Sequence, residues 1–382
     1  MERALAEKLT GWRRHLHTHP ELSLQEAQTS AFVRARLDEL GVPYVAGVGG
    51  HGVVATIARG SSNRSVGLRA DMDALPIMET TGLAYASQTA GVMHACGHDG
   101  HTVSLLGAAA LLMADPDWSG TVHLVFQPAE EGAGGARAML ADGLFERFPM
   151  ERIFAYHNWP GLAAGTVAVH PGPVMAAGAR LEFLIEGHAG HAALPHLARD
   201  PIVAAGHLLV GLQSVVSRTV DPLESGVVTI GMIQGGAAPN QIPREVRLRG
   251  TARNYSVKTR DLMDVAMRRV AAGVAAMCDV AITVDIHHGV GPTVNSAFEA
   301  ELACDAVREA GLGLRRDLPP AMTGEDFGWM LQQKPGAYVW IGNGPADDGR
   351  ELHNSSYDFN DAILPAAAGF LAGVARRSLR EG

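Results

Sequence analysis

Along most of this chain, short β-type runs alternate with helical stretches, a pattern few architectures can accommodate. The runs are Gly52–Ile57, Ser65–Ala70, Thr121–Phe126, Ile153–Tyr156 and Ala337–Ile341; helical stretches fall at His101–Met113, Ala136–Phe145 and Pro365–Leu379. Such alternation predicts an α/β fold with a large mixed, mainly parallel sheet and helices on both faces. Side chains just past the carboxyl ends of its strands should then meet at one rim. Residues 1–40 read as a helical segment, with Leu5 and Leu9, then Phe32, Val33, Leu37 and Leu40, at helical spacing and a stop at Gly41 and Pro43.

Between about 178 and 290 the order changes. Arg180–Glu186 reads as a strand, Pro201–Val216 as a helix, Val227–Gln234 and Val246–Tyr255 as strands, Lys258–Met277 as a helix and Val280–His287 as a last strand. This β-α-β-β-α-β order is that of a ferredoxin-like α+β unit. The expected division is one discontinuous domain, 1–177 and 291–382, with residues 178–290 inserted into it. Glycines and prolines at Gly172, Pro173, Gly178, Gly289, Gly291 and Pro292 supply hinges.

The net charge of -9 argues against a nucleic-acid partner. No continuous apolar run approaches the roughly 18 residues that span a bilayer; Leu105–Ala114 is the best candidate and is short. The amino-terminal stretch lacks the apolar core of a signal peptide, so a cytoplasmic location without membrane attachment is expected. Cys96, Cys278 and Cys304 are too few for a disulfide framework, which leaves a functional role open for one of them.

Three β-runs lead directly into metal-type side chains: SVGLRA into Asp71 and Asp73, TVHLVFQPA into Glu130 and Glu131, and IFAY into His157. A further group, His94, Cys96, His98, Asp99 and His101, precedes a helical stretch. Thiolate, imidazole and carboxylate are the ligands of zinc and similar ions. A Glu-Glu pair lets one carboxylate bind metal while its neighbour handles a proton. His15, His17 and His19 are a weaker prospect, since only His15 and His19 share a helix face. The glycines 132, 134 and 135 do not fit a nucleotide loop, because Glu130 and Glu131 would repel phosphate. His287 and His288 read as a surface or interface pair.

At these residues the chain resembles the M20 metallopeptidase family, in the amidohydrolase branch of hippurate hydrolase, N-acyl-amino-acid deacylases and auxin-conjugate hydrolases. The motifs carrying the resemblance are RRHLHTHPELS at 13–23, RADMDALPI at 69–77, MHACGHDGHT at 93–102, FQPAEEGAGGARAM at 126–139, AYHNWPG at 155–161, GHAGHAALPH at 187–196, GGAAPNQIP at 235–243, TGEDFG at 323–328 and LHNSSYDFND at 352–361. The resemblance implies two divalent ions, zinc first and manganese, cobalt or nickel as alternatives, held by Cys96, His98, Glu131, His157 and His353. It implies Glu130 as general base, Asp73 as the residue orienting a ligand, and His191 at the substrate carbonyl. Asn240 and Arg253 are implied to hold the substrate carboxylate. Cys96 stands where the wider family has a bridging aspartate, and Asp71 where it has a histidine. The implied activity is hydrolysis of the amide bond of N-acyl amino acids, with residues 178–290 acting as a lid and as the contact of a homodimer. The alternatives are a dipeptidase or carboxypeptidase and a non-catalytic metal-dependent binding protein.

Overall fold

A computed structural model describes residues 2–380. In chain order the elements are α1 (Arg3–Thr18), α2 (Ala27–Leu40), β1 (Tyr44–Val48), β2 (Gly52–Arg59), β3 (Ser65–Asp71), α3 (His98–Ala114), β4 (Gly120–Gln127), α4 (Gly135–Ala141), α5 (Leu144–Arg147), β5 (Arg152–Pro160), β6 (Thr166–Val169) and β7 (Pro173–Met175). Then come β8 (Ala177–Glu186), β9 (Gly190–His191), α6 (Pro201–Thr219), β10 (Gly226–Gly235), β11 (Gln241–Ile242), β12 (Glu245–Asn254), α7 (Val257–Cys278) and β13 (Ala281–His288). The chain closes with β14 (Thr293–Val294), α8 (Ala297–Glu309), β15 (Gly313–Arg315), α9 (Gly328–Leu331), β16 (Gly336–Gly344) and α10 (Leu364–Arg380). Two compact units result: one of residues 1–174, 294–319 and 326–382, the other of residues 175–293 and 320–325.

The large unit holds an eight-stranded sheet of order β1-β2-β4-β3-β5-β16-β6-β15. Its centre, β4-β3-β5-β16, is parallel, while β1, β2 and the β16–β6 pair are antiparallel. The carboxyl ends of β3, β4 and β5 therefore share one rim. Helix α3 is buried continuously from His98 to Ala109, and α1 and α10 pack on it. A helix apolar on every side belongs inside a core, and each fully buried leucine, such as Leu105 or Leu106, stabilises it by about 1.5–3 kcal/mol.

Two sequence readings are corrected here. The segment 1–40 is two helices, not one: α1 ends at Thr18 because His19 precedes Pro20 and is excluded from helical backbone. The stretch Ala136–Phe145 is likewise split at Gly143, whose φ is +77°.

The small unit is a four-stranded antiparallel sheet of order β10-β12-β8-β13, covered on one face by α6 and α7. This is the β-α-β-β-α-β connectivity read from the sequence. Asp200 caps α6 through the Ile202 and Val203 amides, and Ser256 caps α7 through Thr259. The reading that no continuous apolar run reaches the length of a membrane span stands beside one helix that passes a looser measure. Helix α6 has 19 residues and a mean hydropathy of 1.2, which meets that measure by length and composition alone. Polar Gln213, Ser214 and Ser217 interrupt its apolar run, and its buried side, with Ala204, Leu208, Leu212 and Val215, lies on the unit's own sheet.

Candidate metal centre

Three loops meet at the carboxyl rim of the large sheet, each held by its own local geometry. After β4, Ala129 takes a left-handed φ of +56° and its amide donates to Glu26 Oε1 (2.8 Å). Gly135 closes that turn, where a Cβ would strike the Pro128 carbonyl at 1.6 Å. Cys96 and His98 flank Gly97, which starts α3 at φ +88°. A Cβ at Gly97 would lie 2.3 Å from Asn158 Nδ2 and 2.5 Å from the Tyr357 hydroxyl. His353 is also left-handed, at φ +62°, with its amide bonded to the Ala95 carbonyl at 2.8 Å. A non-glycine residue held there costs of order 1–3 kcal/mol, and such residues cluster at functional sites.

The five implied ligands come together. Cys96 Sγ is 3.3 Å from His157 Nε2, His353 Nε2 is 3.3 Å from Glu131 Oε1, and His98 Nε2 is 3.9 Å from the same oxygen. Donor atoms of Cys96, His98 and His157 form one group within 4.8 Å, and those of Cys96, Glu131 and His353 form a second. Cys96 belongs to both. Glu130 joins a third group with His98 and Glu131, and the Asp326 amide donates to Glu130 Oε1 (3.3 Å).

A second layer fixes the donor faces. Asp73 Oδ1 lies 3.2 Å from His98 Nδ1, while Asp73 Oδ2 accepts from Ser23 Oγ (2.6 Å) and the Glu131 amide (3.0 Å). That leaves His98 Nε2 directed at the cluster, the arrangement usual for a metal-binding histidine. His157 Nδ1 bonds the Asn158 carbonyl at 2.6 Å, so its Nε2 lone pair faces Cys96. Asn158 donates to the Cys96 carbonyl (2.7 Å) and accepts from the Tyr357 hydroxyl (2.7 Å). Its amide donates to His101 Nε2 at 3.0 Å, which puts the proton of His101 on Nδ1, bonded to Asp71 Oδ1 at 2.6 Å. Asp71 Oδ2 takes Arg69 at 2.7 Å. Both Asp71 oxygens are thus occupied within the protein.

Charge and burial fit a cation. His98 Nε2 and Glu131 Oε1 are buried without a hydrogen-bond partner, and an orphaned buried polar atom costs about 1–3 kcal/mol. Burial pushes the Cys96 thiol well up, and Glu131 and Glu130 add to this. A coordinating divalent ion reverses the balance by deprotonating the thiol outright. Burial also opposes charge on His98, but Asp71 and Asp73 outweigh it and raise its pKa to about 10. Burial holds His157 well below its ordinary range, leaving it the neutral ring that a metal requires.

The remaining implied residues lie in the small unit. His191 on β9 pairs with Gln241 on β11, and the Ala192 amide donates to the Asn240 carbonyl at 3.0 Å. The Ala193 amide donates to His191 Nδ1 (3.1 Å), so a neutral ring carries its proton on Nε2. Arg253 lies on β12 and donates to the Ala252 carbonyl at 3.0 Å.

Several supporting residues escaped sequence reading. Asp326 accepts from Gln127 (2.7 Å), Arg69 (3.1 Å) and the Ala136 amide (2.9 Å). Its only signal was the acidic pair in TGEDFG. His17, set aside above with its two neighbours, is fully buried, 2.8 Å from Asp99 Oδ2 and 3.5 Å from Glu79 Oε1.

Cysteine, histidine and carboxylate donors at the carboxyl rim of a parallel sheet, with Glu130 beside them, define a metal-dependent hydrolase. Residues 67–377 match the model of peptidase family M20/M25/M40. An N-acetyl-L-cysteine deacetylase of Bacillus subtilis is 40% identical over 98% of this chain and 89% of its own length. A hippurate hydrolase of Campylobacter jejuni is 39% identical over 96% of each chain. A crystal structure from Bacillus subtilis, described as a dinuclear metal-binding peptidase of the M20 family, superposes with a TM-score of 0.89 at 34% identity, covering 99% of both chains. The chain therefore belongs to peptidase family M20/M25/M40, in its amidohydrolase branch, and is a metal-binding hydrolase.

Proposed function

We propose that this enzyme hydrolyses the amide bond of N-acyl amino acids, of N-acetyl or N-benzoyl type, releasing a carboxylic acid and a free amino acid. The observation that carries the reading is the pair of donor groups sharing Cys96, with Glu130 at their edge. Two divalent ions held by Cys96, His98, Glu131, His157 and His353, zinc by preference or else manganese, cobalt or nickel, would lower the pKa of water and polarise the amide carbonyl.

The protein's own residues carry out the rest. Glu130 takes the proton of the attacking water as its oxygen bonds to the carbonyl carbon. The C–N bond then breaks, and Glu130 returns the proton to the leaving amine. Asp73 keeps His98 and the Glu131 backbone in place. To His191 we assign donation from Nε2 to the developing oxyanion. Asn240 and Arg253 are assigned to the substrate carboxylate. The small unit is assigned the roles of lid and of contact in a homodimer.

The test is turnover of hippurate and N-acetyl amino acids by metal-reconstituted enzyme, wild type against Glu130→Gln. The expected result is turnover in the wild type, lost in the variant with metal content unchanged. A binding protein would show none in either. Preference for free dipeptides over every acyl derivative would make the enzyme a dipeptidase instead.

A further inference from the structure

The sheet of the small unit is covered on one face only. Along β8, Leu181, Phe183 and Ile185 are buried against α6 and α7, so Arg180 and Glu182 take the open face. Strand β12 places Arg249, Thr251 and Arg253 on that face, and β13 adds His287. Pairing puts His287 opposite Arg180, Arg180 opposite Thr251, and Arg253 opposite Gly178. Arg253 leans across β8: a Cβ at Gly178 would stand 3.4 Å from its Nη1. Its guanidinium thus lies about two strand residues, about 7 Å, from the Arg180 position.

Neither arginine has a carboxylate partner among the described residues. Arg253 bonds only the Ala252 carbonyl. Glu182, next along β8, is engaged by Arg247 and by Arg249 at 3.1 Å. Glu182 and Asp285 also lie on this face, but neither bonds Arg180 or Arg253 among the described residues, so the two guanidinium groups remain open to an anion. A cavity of about 600 Å³ opens beside Arg180, lined also by Glu182, Arg249, Thr251, Met232 and His287, with Arg253 outside its lining. That volume suits a small organic ligand.

We infer that Arg180, supported by His287 and Thr251, is a specificity residue for a second carboxylate on the substrate, so that the preferred amino-acid part is acidic, glutamate or aspartate. This rests on the reading above that Arg253 takes the α-carboxylate. An extended glutamate can bridge the two guanidinium groups with its two carboxylates, whereas the isosteric glutamine offers Arg180 no charge.

N-acetyl-L-glutamate and N-acetyl-L-glutamine, compared on manganese-loaded enzyme, isolate this difference. The wild type is expected to favour the glutamate by about tenfold in kcat/KM, mostly through KM, as one charge-assisted contact would give. Arg180→Met should abolish that preference, and Arg180→Lys should keep part of it. Arg253→Met should instead raise KM for both compounds. If the wild type shows no preference, or if Arg180→Met lowers both compounds alike, the inference fails. If Arg253→Met changes neither, the reading of Arg253 fails, while the glutamate-to-glutamine ratio still judges Arg180. Calorimetric titration with free L-glutamate and L-glutamine gives the same comparison without turnover: equal affinities overturn the inference.

Discussion

The rim of the large unit and the open sheet face of the small unit both gather charged side chains, in opposite ways. At the rim Cys96, His98 and His157 are nearly or wholly buried, and each imidazole has one nitrogen fixed by Asp73 or by the Asn158 carbonyl. On the open face Arg180 is exposed, and Arg253 is tied only to a carbonyl next to it in the chain. Metal binding requires donors preset to a fraction of an ångström, so the fold over-determines them. The fold ties neither Arg180 nor Arg253 to a carboxylate among the described residues, which suits the substrate recognition proposed for them.

The contrast can be broken most forcefully at Glu130. Glu130→Gln should lower kcat by about 10²–10⁴-fold, the usual worth of a general base, with the metal retained in elemental analysis. Retained activity would remove Glu130 from the reaction. Next comes Cys96. Because its sulfur belongs to both donor groups, Cys96→Ala should lose most bound metal along with activity. Cys96→Asp, the residue of the wider family, should recover part of both. If the alanine variant kept full metal occupancy, the shared-donor reading would collapse.

A smaller effect is expected one layer out. Asp73→Asn should weaken metal affinity by about 10–100-fold, read by competition with a chromogenic chelator, while circular dichroism stays native. The smallest expected effect is on stability. Burial opposes protonation of His17, but Asp99 and Glu79 outweigh it and raise its pKa from 6.5 to about 9. A raised pKa stabilises the fold fully below 6.5 and ceases to do so as pH rises through 9. Denaturant midpoints should therefore fall between those values in the wild type, and this slope should flatten in His17→Gln. An unchanged slope would show that His17 does not govern it.

These regions also differ in how readable they were in sequence. The strand ends and their donors could be read directly, because a parallel sheet brings side chains distant in sequence to one rim. The ferredoxin-like order of the small unit was equally plain from its alternating patterns. The supporting layer was not. Asp326 meets Gln127 and Arg69 only through tertiary packing, and no local period signals such a contact. His17 looked like one member of a histidine row on a helix, yet its partners Asp99 and Glu79 are supplied from far along the chain. Helix α8 went unread as well, although Leu302, Ala303, Ala306 and Val307 recur there at helical spacing and are buried. What failed at Pro20 was arithmetic of a simpler kind, since a proline within the stretch 1–40 already marked a break.

Gly97 constrains the site through the space and the backbone conformation it occupies. Its left-handed backbone and the two polar atoms within 2.5 Å of any added Cβ leave that position no neutral neighbours in sequence space. Cys96 beside it is under no such backbone constraint, since its φ is not left-handed. The glycine between the two ligands has no such freedom. Any side chain placed there would push against Asn158 and the Tyr357 hydroxyl, which are bonded to one another and, through Asn158, to the Cys96 carbonyl, so the cost would reach the metal donors.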